Sequence, residues 1–345
     1  MDKKLFISSS PHIADQESVT KIMYSVTASL VPAGIAAVYF FGLHALWVML
    51  ISVASAIIGE ALAQKMMKRP ITISDGSALL TGLLLAYNVS ADVPLWMPAV
   101  GSFFAIIVGK QVFGGLGYNP MNPALLGRAF LLASWPTHMT VFSGAVPRGG
   151  TVSGIDIMTG ATPLNVLKQS KEILSHASEY PIAQVTQAHD AIGKLYDSFG
   201  HLFMGQVGGC LGETSVLALL LGAAFLMYKR YIGWKIPFSY IGTVALLSWA
   251  FGGTEGLFSG NIIFHLFSGG LILGAFFMAT DMVTSPVTFK GRIYFGIGCG
   301  IITVVIRLIG GYPEGVSYSI LLMNLLTPVL DRWTKPKVFG GNKKS

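Results

Sequence analysis

Charge is scarce in this chain: Asp, Glu, Lys and Arg together make only 11% of 345 residues, against 52% hydrophobic residues and a mean hydropathy of +0.63. A soluble domain carries roughly a quarter of its residues charged, so the balance excludes an ordinary water-surrounded globule and points to lipid as the solvent. Cysteine is nearly absent. Cys210 and Cys299 sit 89 positions apart inside apolar runs, which excludes a four-thiolate iron–sulfur cluster or a Cys-x-x-Cys zinc site within this chain. Each reads as a small packing residue, with one left free to contribute to a site shared with another subunit. No nucleotide fingerprint is present either. "GIGCG", Gly296 to Gly300, has no strand before it, and close helix packing explains it better. A cleavable signal is not expected, because "LFISSS" is too short for an h-region and the run Ile22–Phe41 reads as a retained span.

What is abundant is apolar runs of membrane-crossing length. Eight are evident: Ile22–Phe41, Leu43–Ala63, Pro94–Val112, Val207–Tyr228, Ile236–Phe251, Asn261–Thr280, Ile293–Ile309 and Tyr318–Leu330. Two shorter runs, Gly76–Asn88 and Pro123–Trp135, are apolar nearly all round and are counted with them, giving about ten transmembrane helices. The pI near 9.3 invites a nucleic-acid reading, but the placement of the cations argues against it. With the N-terminus inside, the cytoplasmic segments hold Lys65, Lys68, Arg69, Lys110, Lys229, Arg230, Lys235, Lys290, Arg292 and the basic C-terminal tail. The short outer loops around Leu43, Ala91, Glu255 and Pro313 hold no Lys or Arg. That is the positive-inside rule, and it places both termini in the cytoplasm and the long polar segment 136–205 outside. The expected organisation is a first membrane half at 1–135, an extracytoplasmic insertion at 136–205 and a second membrane half at 206–345.

The two halves echo each other. "SALLTGLLLA" from Ser77 resembles "SGGLILGAFFMA" from Ser268; Lys110 precedes Gly114–Gly115 as Arg307 precedes Gly310–Gly311; "PALL" from Pro123 answers "SILL" from Ser319. Five spans per half forces the second half upside down, and the expected fold is an all-α integral membrane protein of two inverted five-helix repeats. Lys110, Arg128, His265 and Arg307 lie in or near apolar runs. Intramembrane charge costs about 2.5–3.5 kcal/mol on insertion scales, so such groups face a cavity or a partner, or snorkel if near a span end. Glu60 and Asp281 are paired or interfacial on the same reasoning.

The insertion contains "GGTVSGIDIMTGATPLNVLKQ". Pro163 suits the first position of a helix continuing through "LNVLKQSKEIL", which makes Thr162 its N-cap, with an exposed hydroxyl at the positive helix end. A phosphate-linked group is electrostatically favoured there. On the local pattern alone, Thr162 as a plain cap is the favoured reading.

Asp156-Ile157-Met158-Thr159-Gly160-Ala161-Thr162 resembles the D-x-x-[ST]-G-A-T motif read by bacterial flavin transferases. "KQVFGGLGYNPMNPALLGRAF" from Lys110 and "SDGSALLTGLLLA" from Ser74 resemble signatures of the RnfD family of Rnf electron transport complexes, related to the NqrB component of the sodium-pumping NADH:quinone reductase. Threonine at 159, where the family often has serine, is a mild departure. The short segment before the first span favours the Rnf branch. The resemblance implies FMN joined by a phosphoester to Thr162, with Asp156, Thr159, Gly160 and Ala161 as the flavinylation motif, and a second, non-covalent flavin such as riboflavin with no residue assigned. It implies a carrier subunit without a catalytic residue or metal of its own, in a multi-pass cell-membrane complex passing electrons between ferredoxin and NAD and moving Na+ or H+. Its partners would be the other Rnf subunits, a flavin transferase during maturation and the bilayer, with no nucleic acid. The rival readings are a transporter or channel without redox chemistry and a structural membrane protein whose motif is unused.

Overall fold

The computed structural model describes residues 17–140, 142, 162–197, 199–205, 207–213, 215–253, 256–312 and 314–336. Among them the secondary structure is helical, with one isolated bridge between Ser90 and Cys210 and no strand.

The first half runs α1 Val19–Phe41, α2 Leu43–Met66, α3 Ser77–Tyr87, α4 Trp96–Ile106 with a π-helical continuation Ile107–Gln111, and α5 Pro123–Ser134. The polar segment contributes α6 Pro136–Thr140, α7 Pro163–Ser175, α8 Ile182–Asp197 and α9 Phe199–Met204. The second half comprises α10 Val216–Tyr228, α11 Lys235–Phe251, α12 Ile262–Phe267, α13 Leu271–Leu273 with a π-helical continuation Gly274–Met278, α14 Phe289–Leu308 and α15 Val316–Trp333. Starts are set locally. Ser18, Asn122, Ser215, Asn261 and Thr288 each accept a backbone N–H of the first turn, and Pro123 occupies the first position of α5.

Each of the ten apolar runs becomes a helix or helix pieces. α1, α2 and α14 are long and apolar enough to cross a membrane by length and composition. Large apolar side chains also face outward, among them Ile35, Trp47, Leu221 and Leu246, each more than half exposed. An apolar outside wrapped round an apolar core is what lipid, rather than water, as the outer solvent produces.

The helices approach closely where side chains are small. Ser52 of α2 donates to the Gly82 carbonyl at 2.6 Å, and a Cβ at Gly82 would lie 2.7 Å from the Val53 Cα. Gly296 and Gly300, one turn apart on α14, meet α11: a Cβ would stand 2.8 Å from the Ile236 oxygen and 3.1 Å from the Tyr240 oxygen, respectively. The glycine run of "GIGCG" is therefore a helix-packing device. α2 packs on α3 and α4, α11 on α12 and α14, and the halves join where α1 meets α10 and α5 meets α15.

One expected span is interrupted. Asn261–Thr280 reads as a continuous run, but α12 ends at Phe267 and Gly269 takes a left-handed φ of 72° before α13 begins. The loosened backbone is satisfied from another helix: Arg307 donates to the Ser268 carbonyl at 3.1 Å and the His265 carbonyl at 2.6 Å. Snorkelling is excluded for Arg307 and Lys110, which are 6% and 1% exposed. Lys110 instead forms a 2.6 Å ion pair with Glu60 and donates to Ser77 Oγ at 2.6 Å. Each cation thus holds the serine that begins the matching motif of its own half. Asp281 pairs with no cation among the described residues; it accepts from the Val283 amide and the Thr284 hydroxyl.

Candidate functional site

The pattern around Thr162 folds as its local chemistry demands. Thr162 is extended (φ −60°, ψ 152°), its hydroxyl accepts from the Asn165 amide at 3.3 Å, and Pro163 opens α7. α7 is amphipathic. Leu164 and Leu167 are buried with Ile192 of α8, Leu202 of α9 and Phe264 of α12, which seats α7 against α8, α9 and α12. That packing overturns one expectation: Thr162 is not exposed but only 4% accessible. Loop 207–209 and the Ser268–Gly269 break close over one side of it. Asp156, Thr159, Gly160 and Ala161 lie outside the described residues.

On its other side Thr162 lines a cavity of about 310 Å3, shared with Arg128, Phe142, Asn165, Tyr312, Glu314 and Tyr318. Volumes near this size are at the lower end of small-molecule sites. Tyr312 and Tyr318 stack with centroids 5.8 Å apart and planes 29° from parallel. Arg128 is 7% exposed. It donates to Asn88 Oδ1 at 3.0 Å, Ser317 Oγ at 2.9 Å and Cys210 Sγ at 3.6 Å, and forms an ion pair with Glu314. Its partners come from the end of α3, the start of α15 and the loop before α10, so both halves converge on this guanidinium.

Cys210, Glu213 and Glu314 present ligand atoms within 4.8 Å of one another. Arg128 already supplies positive charge there, so the group reads as a buried ion-pair network rather than a cation site. Among the described residues Glu213 Oε1 is buried without a hydrogen-bond partner, while Oε2 accepts from the Cys210 amide at 3.4 Å. A second buried network surrounds Glu60, whose Oε1 accepts from Lys110 and from Gln111 Nε2, both at 2.6 Å.

Arg128 is visible in the sequence as a lone cation in "ALLGRAFLL", but its partners are not. Asn88, Cys210, Glu314 and Ser317 lie 40 to 189 positions away. Tyr312 and Tyr318 give no signal of their own. Glu213, one carboxylate in a glycine-rich polar-to-apolar junction, is a usable clue that sequence reasoning missed.

A family model described as the NQR2, RnfD, RnfE family matches residues 6–340. The D component of a proton-translocating ferredoxin:NAD(+) oxidoreductase complex from Clostridium ljungdahlii is 49% identical over 339 residues, covering 98% of this chain and 97% of that protein. The D component of a Na+-translocating ferredoxin:NAD(+) oxidoreductase complex from Acetobacterium woodii is 47% identical over 339 residues, covering 98% and 96%. The D component of an ion-translocating oxidoreductase complex from Escherichia coli is 36% identical over 370 residues, covering 98% and 99%.

Proposed function

The chain belongs to the NQR2, RnfD, RnfE family, and on that premise we propose that it is the membrane electron-carrier subunit of an ion-translocating ferredoxin:NAD oxidoreductase, bearing FMN through a phosphoester on Thr162. The observation that carries this reading is the position of the Thr162 hydroxyl. It lies at the N-terminus of a thirteen-residue helix, on the wall of a cavity whose other walls are Arg128 and a stacked tyrosine pair.

The residues present fit the group. The amides of the first turn of α7 and its dipole favour a phosphate at Thr162. Arg128, ion-paired with Glu314, presents a guanidinium on the same cavity wall, and flat tyrosine faces suit a planar heteroaromatic ring. When bound, the flavin supplies one- and two-electron redox chemistry. The protein's own residues confine it: α7 fixes the attachment point against α8, α9 and α12, and the Asn88–Arg128–Ser317 bonds hold the cavity wall across both membrane halves. No base stands beside Thr162 in the sequence, and attachment is assigned to a flavin transferase and its magnesium ion.

The finer architecture belongs to the same proposal. The ten apolar segments form two inverted five-helix repeats with both termini cytoplasmic, and residues 136–205 form an extracytoplasmic insertion. The chain assembles with the other subunits that supply the ferredoxin and NAD ends, and electron flow is coupled to Na+ or H+ movement. A non-covalent flavin such as riboflavin is retained without residues assigned to it. The broken α12–α13 segment would equally suit a transporter without redox chemistry.

The deciding experiment is intact mass and in-gel ultraviolet fluorescence of the denatured chain, made in a cell with the matching transferase. Wild type should carry one FMN and Thr162→Ala none. A colourless wild-type chain of unmodified mass would end the flavoprotein reading in favour of a transporter or a structural membrane protein.

A further inference from the structure

α7 has a second functional face. One turn and more beyond Thr162, Lys168 and Lys171 project from it toward Arg307 of α14, and the three cations line a cavity of about 390 Å3. The carboxylate on its wall is Glu172. None of the three cations belongs to an ion pair among the described residues. They bond instead to neutral carbonyls: Lys168 to Gly310, Lys171 to Gly252, and Arg307 to His265 and Ser268. Arg307 is 6% exposed, and its Nε has no partner among the described residues.

We propose that this cavity binds a phosphate-bearing anion. The carbonyls lie near the ends of α11, α12 and α14, where helix dipoles contribute only about half a negative charge each. Three full positive charges in a partly buried site are left short of counter-charge, and such charge is costly to hold without an anionic partner. Burial pulls the Lys171 ammonium below its ordinary pKa. Phosphate offers several charged acceptor oxygens to lysines and to an arginine at once. Two sources share this chemistry, a phospholipid headgroup and a soluble phosphate. The setting favours lipid: Leu308 lines the cavity, and along the same helix Ile301, Val305 and the following Ile309 are exposed apolar residues on which an acyl chain can lie. Basic pockets between helices on the cytoplasmic side of other membrane proteins hold anionic headgroups by the same chemistry.

The proposal does not rest on flavin attachment, so the test uses the full chain made without the transferase, purified in detergent and delipidated. Binding of phosphatidylglycerol and of phosphatidylcholine is followed by native mass spectrometry, and binding of inorganic phosphate by calorimetry. Wild type should bind phosphatidylglycerol saturably and phosphatidylcholine weakly. Lys168→Gln/Lys171→Gln should weaken phosphatidylglycerol at least tenfold, equal to about 1.4 kcal/mol, and Lys194→Gln on α8 should not. If inorganic phosphate binds, is lost in the double variant, and the lipid does not bind, the site stands with a soluble ligand. Should the double variant not fold, the two single variants are compared in the same way. Binding of neither ligand, or equal binding by wild type and the lysine variants, overturns the proposal and leaves the lysines as clasps between the insertion and the helix ends.

Discussion

Replacing Arg128 by methionine removes the described counter-charge of Glu314, whose side chain is 10% exposed. Loss of one member of a buried pair costs about 3–5 kcal/mol, because the remaining charge stays desolvated. Arg128 also serves Asn88 and Ser317 at 3.0 and 2.9 Å, each bond adding roughly 0.5–1.5 kcal/mol, so Arg128→Met should fall at the upper end of that range. Glu314→Gln alone should cost less, since Arg128 keeps its other three acceptors. In the double variant neither charge remains, and the loss should be smaller than the sum of the single losses by about 1–3 kcal/mol. The assay is reversible unfolding of the four proteins in mixed micelles, with the coupling read from the closed cycle. Additivity within about 0.5 kcal/mol would refute the claim that this pair, rather than helix packing alone, joins the two halves.

Thr162→Ala should remove flavin fluorescence and the FMN mass while the chain still folds, because an N-cap contributes only about 1 kcal/mol; Thr162→Ser should be partly modified and Asp156→Ala poorly modified, and a fluorescent Thr162→Ala chain on a denaturing gel places the attachment elsewhere. Reporters fused after Arg69, Arg230 or Trp333 should report cytoplasm and reporters within 165–195 the outside; a cytoplasmic signal from the insertion overturns both the span count and the flavin location. Gly300→Val should destabilise the α11–α14 contact by about 1–3 kcal/mol, since a Cβ there already lies 2.6 Å from the Thr243 Cβ. Gly242→Ala, with nothing within 4 Å of its Cβ, should be neutral in the same thermal-unfolding assay.

The sequence by itself determined whatever depends on neighbours in the chain. Helix placement followed from apolar runs, because a backbone in lipid must bond within its own segment. The α7 start followed from Thr162-Pro163, because capping is a matter of a few adjacent residues. The family followed from "KQVFGGLGYNPMNPALLGRAF" and "DIMTGAT", read as resemblance. Only the tertiary structure decided the rest. The break at Ser268–Gly270 is compatible with an apolar run and becomes a break only where Arg307 can donate to the freed carbonyls. Thr162 reads as exposed because its surroundings in sequence are polar, yet it is buried by loops 207–209 and 268–269. Lys110 and Arg307 could reach a headgroup by length alone, and it is the placement of Glu60, Ser77 and Ser268 that holds them inside. Burial and charge pairing are properties of segments far apart in the chain. No local pattern encodes which residue 189 positions away will receive the Arg128 hydrogen bond.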